Sequence, residues 1–124
     1  MDKILVIDDD EDILKVVKII LTLEGYKVET ESRWEETFNK IESFNPDLIL
    51  LDIMLGSEDG RNVSRKIKSK PSLRHIHIIL FSAKHGANKH FSECFADGFI
   101  AKPVNPQELL NKIYSQLAKK SGLN

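Results

Sequence analysis

The sequence predicts an α/β fold in which five parallel strands alternate with five helices. Short apolar runs alternate with helical patterns from one end of the chain to the other, and no internal repeat or linker interrupts them. The length of 124 residues suits one domain with a sizeable core. Helices then cover the sheet on both faces, and right-handed crossovers bring the C-terminal ends of all strands to one edge. Ligands of open α/β sheets bind outside that edge.

The five predicted strands are short apolar runs of ordinary strand length. They lie at residues 3–7, 27–30, 48–51, 77–81 and 98–101. The run Leu48-Ile49-Leu50-Leu51 leads directly into Asp52, so it predicts a buried strand that delivers a carboxylate to the edge of the sheet.

The first two predicted helices follow from apolar residues that recur at helical spacing. Gly25 ends the first helix, and Asn45-Pro46 ends the second. Their predicted apolar stripes are Ile13, Val16, Val17 and Ile20 in the first helix, and Trp34, Phe38 and Ile41 in the second.

Three more helices are predicted in the second half of the chain. The third runs from about Gly60 to Ser69, because Pro71 prevents it from continuing. The fourth lies around residues 88–95. The fifth opens at Pro106, a favourable residue for a first helical turn. Its predicted buried face carries Leu110, Ile113, Tyr114 and Leu117.

Composition narrows the class of protein. The 18 Lys and Arg residues nearly balance the 19 Asp and Glu residues, so we expect neither a nucleic acid nor a membrane as a direct partner. No run approaches the ~18–20 apolar residues of a spanning helix. Cys94 is the one cysteine, which fits a reducing cytosol. We expect a cytoplasmic domain over residues 1–120, a frayed tail at 121–124 and no output domain.

Polar residues follow four of the predicted strands at the point where each ends. Asp8 and Asp9 follow the first strand, Asp52 the third, Ser82 the fourth and Lys102 the fifth. If these strands are neighbours, the side chains converge on one crevice at the edge of the sheet. Clustered carboxylates beside a lysine and a hydroxyl suit a divalent metal ion and a phosphoryl group.

Each of these residues also has an ordinary structural interpretation. Asp10, together with the acids that follow it, is well explained as a helix cap. Capping explains Asp8 and Asp9 poorly, because they end a buried strand where unpaired carboxylates repel one another. Ser82 suits either a turn cap or a donor to phosphate oxygens. Asp52 alone could cap a turn, but beside an acid pair it is a candidate nucleophile that forms an aspartyl phosphate, and Lys102 could form an ion pair with it.

The chain resembles the receiver domains of two-component response regulators over essentially its whole length. The matching motifs are Asp8-Asp9, Asp52 within residues 46–54, Asp59-Gly60, Ser82-Ala83 and Lys102-Pro103. The resemblance implies a (βα)5 flavodoxin-like, doubly wound sheet of five parallel strands in the order 2-1-3-4-5.

The resemblance implies phosphorylation of Asp52 by a sensor histidine kinase or a histidine phosphotransfer protein, with Mg²⁺ as cofactor. Asp9, Asp52 and the backbone carbonyl of Met54 would ligate the metal, and Asp8 would help through a water molecule. Ser82 and Lys102 would contact the phosphoryl group.

The resemblance also implies a switch. Ser82 would move inward on phosphorylation, and Phe99 would match the aromatic switch position. The face formed by the predicted fourth helix, fifth strand and fifth helix would then bind a downstream effector, and a dimer through this face is among the assemblies allowed. The Lys102–Pro103 peptide bond would be cis. Such a protein catalyses only its own phosphorylation and dephosphorylation and is not a metabolic enzyme.

Other functions fit the sequence less well. An aspartate-based phosphatase of the haloacid dehalogenase type would carry an Asp-x-Asp motif followed by a Gly-Thr turn, but Glu11-Asp12 follows Asp10 here. A flavin-binding module would need a Ser/Thr/Gly-rich phosphate loop where this chain has five acids. The spacing of the four histidines matches no standard zinc motif.

Overall fold

A computed structural model describes residues 2–83 and 91–120 of the chain. Its five-stranded parallel sheet contains β1 (Lys3–Ile7), β2 (Lys27–Glu31), β3 (Leu48–Asp52), β4 (His77–Ser82) and β5 (Gly98–Ala101). The strand order is β2-β1-β3-β4-β5, and every neighbouring pair is parallel. The doubly wound α/β prediction and its strand order are therefore confirmed. Three of the strands end one residue later than predicted, so Asp52 and Ser82 lie within the ladder.

Four α-helices connect or follow these strands in the described residues: α1 (Glu11–Leu23), α2 (Thr37–Phe44), α3 (Gly60–Ser69) and α4 (Pro106–Lys120). A 3-10 turn at Trp34–Glu36 precedes α2, and another at Pro71–Leu73 follows α3. Two short antiparallel strands, Met54–Leu55 and Glu58–Asp59, form a ribbon after β3. None of the described helices is both long enough and apolar enough to cross a membrane.

The predicted fourth helix is only partly covered by the structure. Its positions 88–90 lie outside the described residues. The described part, Phe91–Cys94, forms a 3-10 helix, which corrects the prediction of an α-helix there. The helix predicted to open at Pro106 is α4.

The sheet separates two apolar layers because successive residues of a strand point to opposite faces. On one face, residues such as Leu5, Ile49 and Leu80 pack with α2 and α3. On the other, residues such as Val6 and Leu50 pack with α1 and α4. Because both faces are covered, β1 and β3 are apolar almost throughout.

The buried stripes of α1 and α4 differ from the prediction. The core residues of α1 are Leu14, Val17 and Leu21, whereas Val16 is 49% exposed. In α4 the buried series is Leu109, Ile113 and Leu117. Tyr114, predicted on the buried face, is 72% exposed. Each stripe keeps the spacing of one helical face, but both helices carry more apolar residues than that face accommodates.

Candidate functional site

Three carboxylates converge at the C-terminal edge of the sheet. Ile7 pairs with Leu51 in the ladder, so the residues that follow them, Asp8 and Asp52, lie on neighbouring strands. One carboxylate oxygen from each of Asp8, Asp9 and Asp52 lies within 4.8 Å of the others. Asp8 and Asp52 are buried, and Asp9 is exposed. The structure thus brings together the three acids that the sequence predicts.

Asp8 has the more constrained carboxylate. Its Oδ1 atom accepts a hydrogen bond from the backbone N–H of Asp10 at 2.9 Å. Its Oδ2 atom is buried and lies 2.8 Å from the Lys102 ammonium, yet among the described residues it accepts no hydrogen bond of regular geometry. We regard this contact as an ion pair, because the separation is short and both groups carry charge. The oxygen retains the capacity to accept further bonds.

Lys102 is held by three groups. Its Nζ atom lies 2.8 Å from Asp8 Oδ2, 3.4 Å from Asp52 Oδ2 and 5.0 Å from the centre of the Phe81 ring. The ion pair with Asp52 is therefore present, but the shorter contact is with Asp8. The Lys102–Pro103 bond is cis, as predicted, and the Lys102 backbone N–H donates to the carbonyl of Ser82 at 3.0 Å.

Phe81 is the site residue that sequence reasoning missed. It is fully buried on β4, and the ladder pairs it with Asp52 on β3. Its ring face lies where it attracts the Lys102 ammonium by a cation–π interaction. The sequence offered one signal, an aromatic residue directly before Ser82, but an apolar residue in a buried strand has an ordinary explanation.

The electrostatics of the cluster favour protonation of Asp52. Burial, and next the nearby charge of Asp8, raise the pKa of Asp52 from 3.8 to about 6. The Lys102 ammonium and the backbone N–H of Met54, which donates to Asp52 Oδ1 at 3.3 Å, act in the opposite direction. Burial acts to lower the pKa of Lys102, but its contacts with Asp8 and Asp52 outweigh that effect and raise it. The cluster therefore carries more negative charge than one lysine neutralises.

The other predicted site residues lie around this cluster. Ser82 is buried at the end of β4 and pairs with Ala101 in the ladder. Phe99 is partly buried on β5 and packs against the apolar layer on the α2 and α3 side. Met54 follows Asp52 by two residues and exposes its side chain.

Gly60 fixes the start of α3 against the site. Its backbone N–H donates to the carbonyl of Ile53 at 2.7 Å. A Cβ atom at this position would overlap the backbone carbonyl of Asp52, so a side chain cannot be accommodated there. Asp59 caps the helix by accepting from the backbone N–H of Arg61 at 2.8 Å. The Asp59-Gly60 pair thus anchors α3 to the loop that follows Asp52.

Comparison with known proteins shows the same architecture. The chain is 34% identical over 115 residues to the response regulator PleD of Caulobacter vibrioides, an alignment that covers 91% of this chain and 25% of PleD. It is 34% identical to the alkaline phosphatase synthesis transcriptional regulatory protein PhoP of Bacillus subtilis, with 94% of this chain and 49% of PhoP covered. The chain thus spans between a quarter and a half of these curated relatives.

Solved structures agree over the full fold. A CheY-like response regulator receiver domain protein from Methanospirillum hungatei is 35% identical and superposes with a TM-score of 0.88, covering 100% of this chain and 99% of its own. The response regulator TrrA from Thermotoga maritima, solved in complex with Mg²⁺ and a beryllofluoride group, is 34% identical with a TM-score of 0.82. That alignment covers 93% of this chain and 98% of TrrA.

The family model of the response regulator receiver domain matches residues 4–114. This range includes all five strands and the acid cluster at their C-terminal edge. The chain therefore belongs to the response regulator receiver domain family, whose members act in two-component signalling.

Proposed function

We propose that this chain is a phosphorylation-dependent switch that accepts a phosphoryl group on Asp52. The observation that carries the proposal is the position of Asp52, buried at the end of β3 with a carboxylate and an ammonium beside it. A carboxylate there is raised in energy by its neighbours, which favours its use as a nucleophile once a cation balances the charge. Phosphoryl transfer depends mainly on alignment and charge neutralisation.

The donor set fits Mg²⁺. Asp9 and Asp52 would ligate the ion with the backbone carbonyl of Met54, and Asp8 would contribute through a water molecule. Support comes from the three oxygen donors within 4.8 Å of one another and from the buried Asp8 Oδ2, which can accept further hydrogen bonds. Hard carboxylate oxygens are the ligands that this ion prefers, and it usually retains several waters. When bound, Mg²⁺ neutralises charge on the acids and on the phosphoryl oxygens.

The transfer step uses three side chains of this chain. An Asp52 oxygen attacks the phosphorus of a phosphohistidine, the P–O bond forms, and the P–N bond breaks with its electron pair leaving on the imidazole nitrogen. Lys102 pairs with a phosphoryl oxygen, which requires it to give up part of its contact with Asp52. The hydroxyl of Ser82 donates to another phosphoryl oxygen. The reverse use of the same alignment, with water as the attacking group, returns Asp52 to its free form.

The proposed partners are a sensor histidine kinase or a histidine phosphotransfer protein, and a downstream effector, all in the cytoplasm. Val16, Ile19 and Leu23 form an exposed apolar strip along α1. Because α1 begins two residues after Asp9, this strip offers a phosphodonor protein a contact surface beside the acids. The exposed Tyr114 of α4 and the partly buried Phe99 of β5 suit an effector-binding face, which could alternatively join two copies.

Incubation with acetyl phosphate and Mg²⁺, followed by intact mass measurement, tests the proposal. We expect one added phosphate on the natural chain and none on Asp52→Asn. Asp9→Ala should lose both phosphorylation and Mg²⁺ affinity, whereas Asp12→Ala, which alters an acid in the first turn of α1, should retain both. A phosphate that persists in Asp52→Asn would contradict the proposed acceptor.

A further inference from the structure

Charge is distributed unevenly along this chain. Residues 60–92 contain no aspartate or glutamate, although the composition would place about five there. The same stretch contains eight lysines and arginines, and six of them lie between Arg61 and Arg74. The near-neutral total charge therefore hides a basic region on α3 and the 3-10 turn after it.

A groove lies within this basic region, between α2 and the end of α3. It encloses about 690 Å³. Phe38, Ile41 and Leu73 give it apolar walls, and its cationic rim consists of Lys66, Lys70 and His75. Sites that combine an apolar interior with a few charged groups at the rim bind ligands of matching character.

Several cations of this region lack a carboxylate partner. Lys68 pairs with Asp97 at 3.0 Å and Arg61 with Asp59 at 2.6 Å. Among the residues that the structure describes, no carboxylate lies within 4 Å of Arg65, Lys70 or Arg74. The positive charge at the groove is therefore not neutralised from within the described part of the domain.

The aromatic rings beside the groove are already covered. Lys70 lies over the Phe38 ring at 5.5 Å, and Lys66 over the Trp34 ring at 5.7 Å. A nucleobase would need such a ring face for stacking. An acidic peptide needs only the cations at the rim and an apolar interior for one side chain. The covered rings thus favour a protein segment over a nucleic acid.

We propose that the α2–α3 groove docks an acidic protein segment that inserts an apolar side chain between Phe38 and Leu73. Carboxylates of the segment pair with Lys66 and Lys70, and His75 offers a ring N–H donor. The groove lies at the C-terminal end of α3, whereas Gly60 at the other end contacts the loop after Asp52. Docking is therefore independent of phosphorylation and separable from the proposed switch.

Fluorescence anisotropy with a labelled synthetic peptide of aspartates, glutamates and one central phenylalanine tests this proposal on the full, unphosphorylated chain. Binding should be measurable at about 50 mM NaCl and weaken strongly at about 300 mM, because the rim charges are exposed. Replacing the peptide's phenylalanine by serine should weaken binding by about fivefold or more, since the apolar contact is lost.

Two variants locate the site. Lys66→Glu with Lys70→Glu should weaken binding by about tenfold or more, whereas Lys15→Glu with Lys18→Glu on α1 makes the same change in net charge elsewhere and should leave it within about twofold. Ser69→Trp, which fills the groove without changing charge, should also weaken binding. Absence of binding at low salt, equal losses in both charge variants, or equal binding of a single-stranded DNA of the same charge would overturn the proposal.

Discussion

At the scale of single residues, the site could be predicted in its members but not in its contacts. Asp8, Asp52 and Lys102 follow strand ends in the sequence, and parallel strands bring such residues together. The sequence could not show that Lys102 lies closer to Asp8 than to Asp52, because side-chain geometry at the edge decides that. Phe81 could not be identified either, since a buried strand requires apolar residues for packing alone.

The raised pKa of Asp52 predicts that its charge destabilises the metal-free fold. A folded-state pKa of about 6 lies above the unfolded value of 3.8, so the cost is full above pH 6 and is relieved as the pH falls from 6 towards 3.8. The difference corresponds to roughly 3 kcal/mol, and loss of the Lys102 attraction offsets part of it. We expect Asp52→Asn to be about 1–2 kcal/mol more stable than the natural chain near pH 7.5.

Urea unfolding in the presence of EDTA measures this effect. The advantage of Asp52→Asn should shrink near pH 4.5, where the natural Asp52 is largely protonated in the folded state. Asp12→Asn, an exposed acid on α1, is the matched control and should change stability little. A less stable Asp52→Asn at neutral pH would contradict the electrostatic account of the cluster.

Phe81 should act as a positioning residue for Lys102. Replacing it with pentafluorophenylalanine keeps the ring's shape and reverses the charge distribution of its face, so the attraction for the ammonium is lost. We expect phosphorylation by acetyl phosphate to slow about threefold or more. Mg²⁺ affinity should change less, because the proposed metal ligands are untouched. An unchanged phosphorylation rate would show that the ring contributes packing only.

At the scale of elements, strands were predicted more accurately than helix faces. Residues 3–7 and 98–101 match their strands, because apolar runs bounded by polar residues define a strand covered on both faces. The faces of α1 and α4 were misassigned, since surplus apolar residues such as Val16 and Tyr114 left more than one helical stripe consistent with the sequence. Only the packing against the sheet selects the stripe.

Gly60→Ala tests the anchoring of α3. The added Cβ would collide with the backbone carbonyl of Asp52, so the helix start or the loop must shift. We expect a loss of about 1–3 kcal/mol in unfolding free energy, together with slower phosphorylation of Asp52. Asn62→Ala, at an exposed position on the same helix, should change stability by about 0.5 kcal/mol or less. Thermal unfolding and phosphorylation rates of the two variants, if equal, would contradict this role.

At the scale of the whole molecule, the fold places a chemical site at one end of the sheet and a binding groove near the other. Family membership and strand order follow from the sequence because the polar residues at the strand ends fall in an ordered series. The groove was not predicted, because it depends on the relative placement of α2 and α3.

The proposed switch predicts a change of packing far from Asp52. With Mg²⁺ and beryllofluoride bound, Ser82 should turn toward the phosphoryl mimic and Phe99 should become more buried, as a shift between two packings. Crystal structures with and without the mimic measure both side chains, and Phe44 in the opposite part of the core serves as an internal reference. Identical rotamers of Ser82 and Phe99 in both structures would contradict the switch.

The most direct test of the central proposal is chemical identification of the phosphorylated residue. An acyl phosphate on aspartate is reduced by borohydride to homoserine, and peptide sequencing by mass spectrometry locates the product. After treatment with acetyl phosphate and Mg²⁺, we predict homoserine at position 52 and aspartate at positions 8 and 9. Homoserine at either of those positions, or a phosphorylated chain that yields none, would contradict Asp52 as the phosphoryl acceptor.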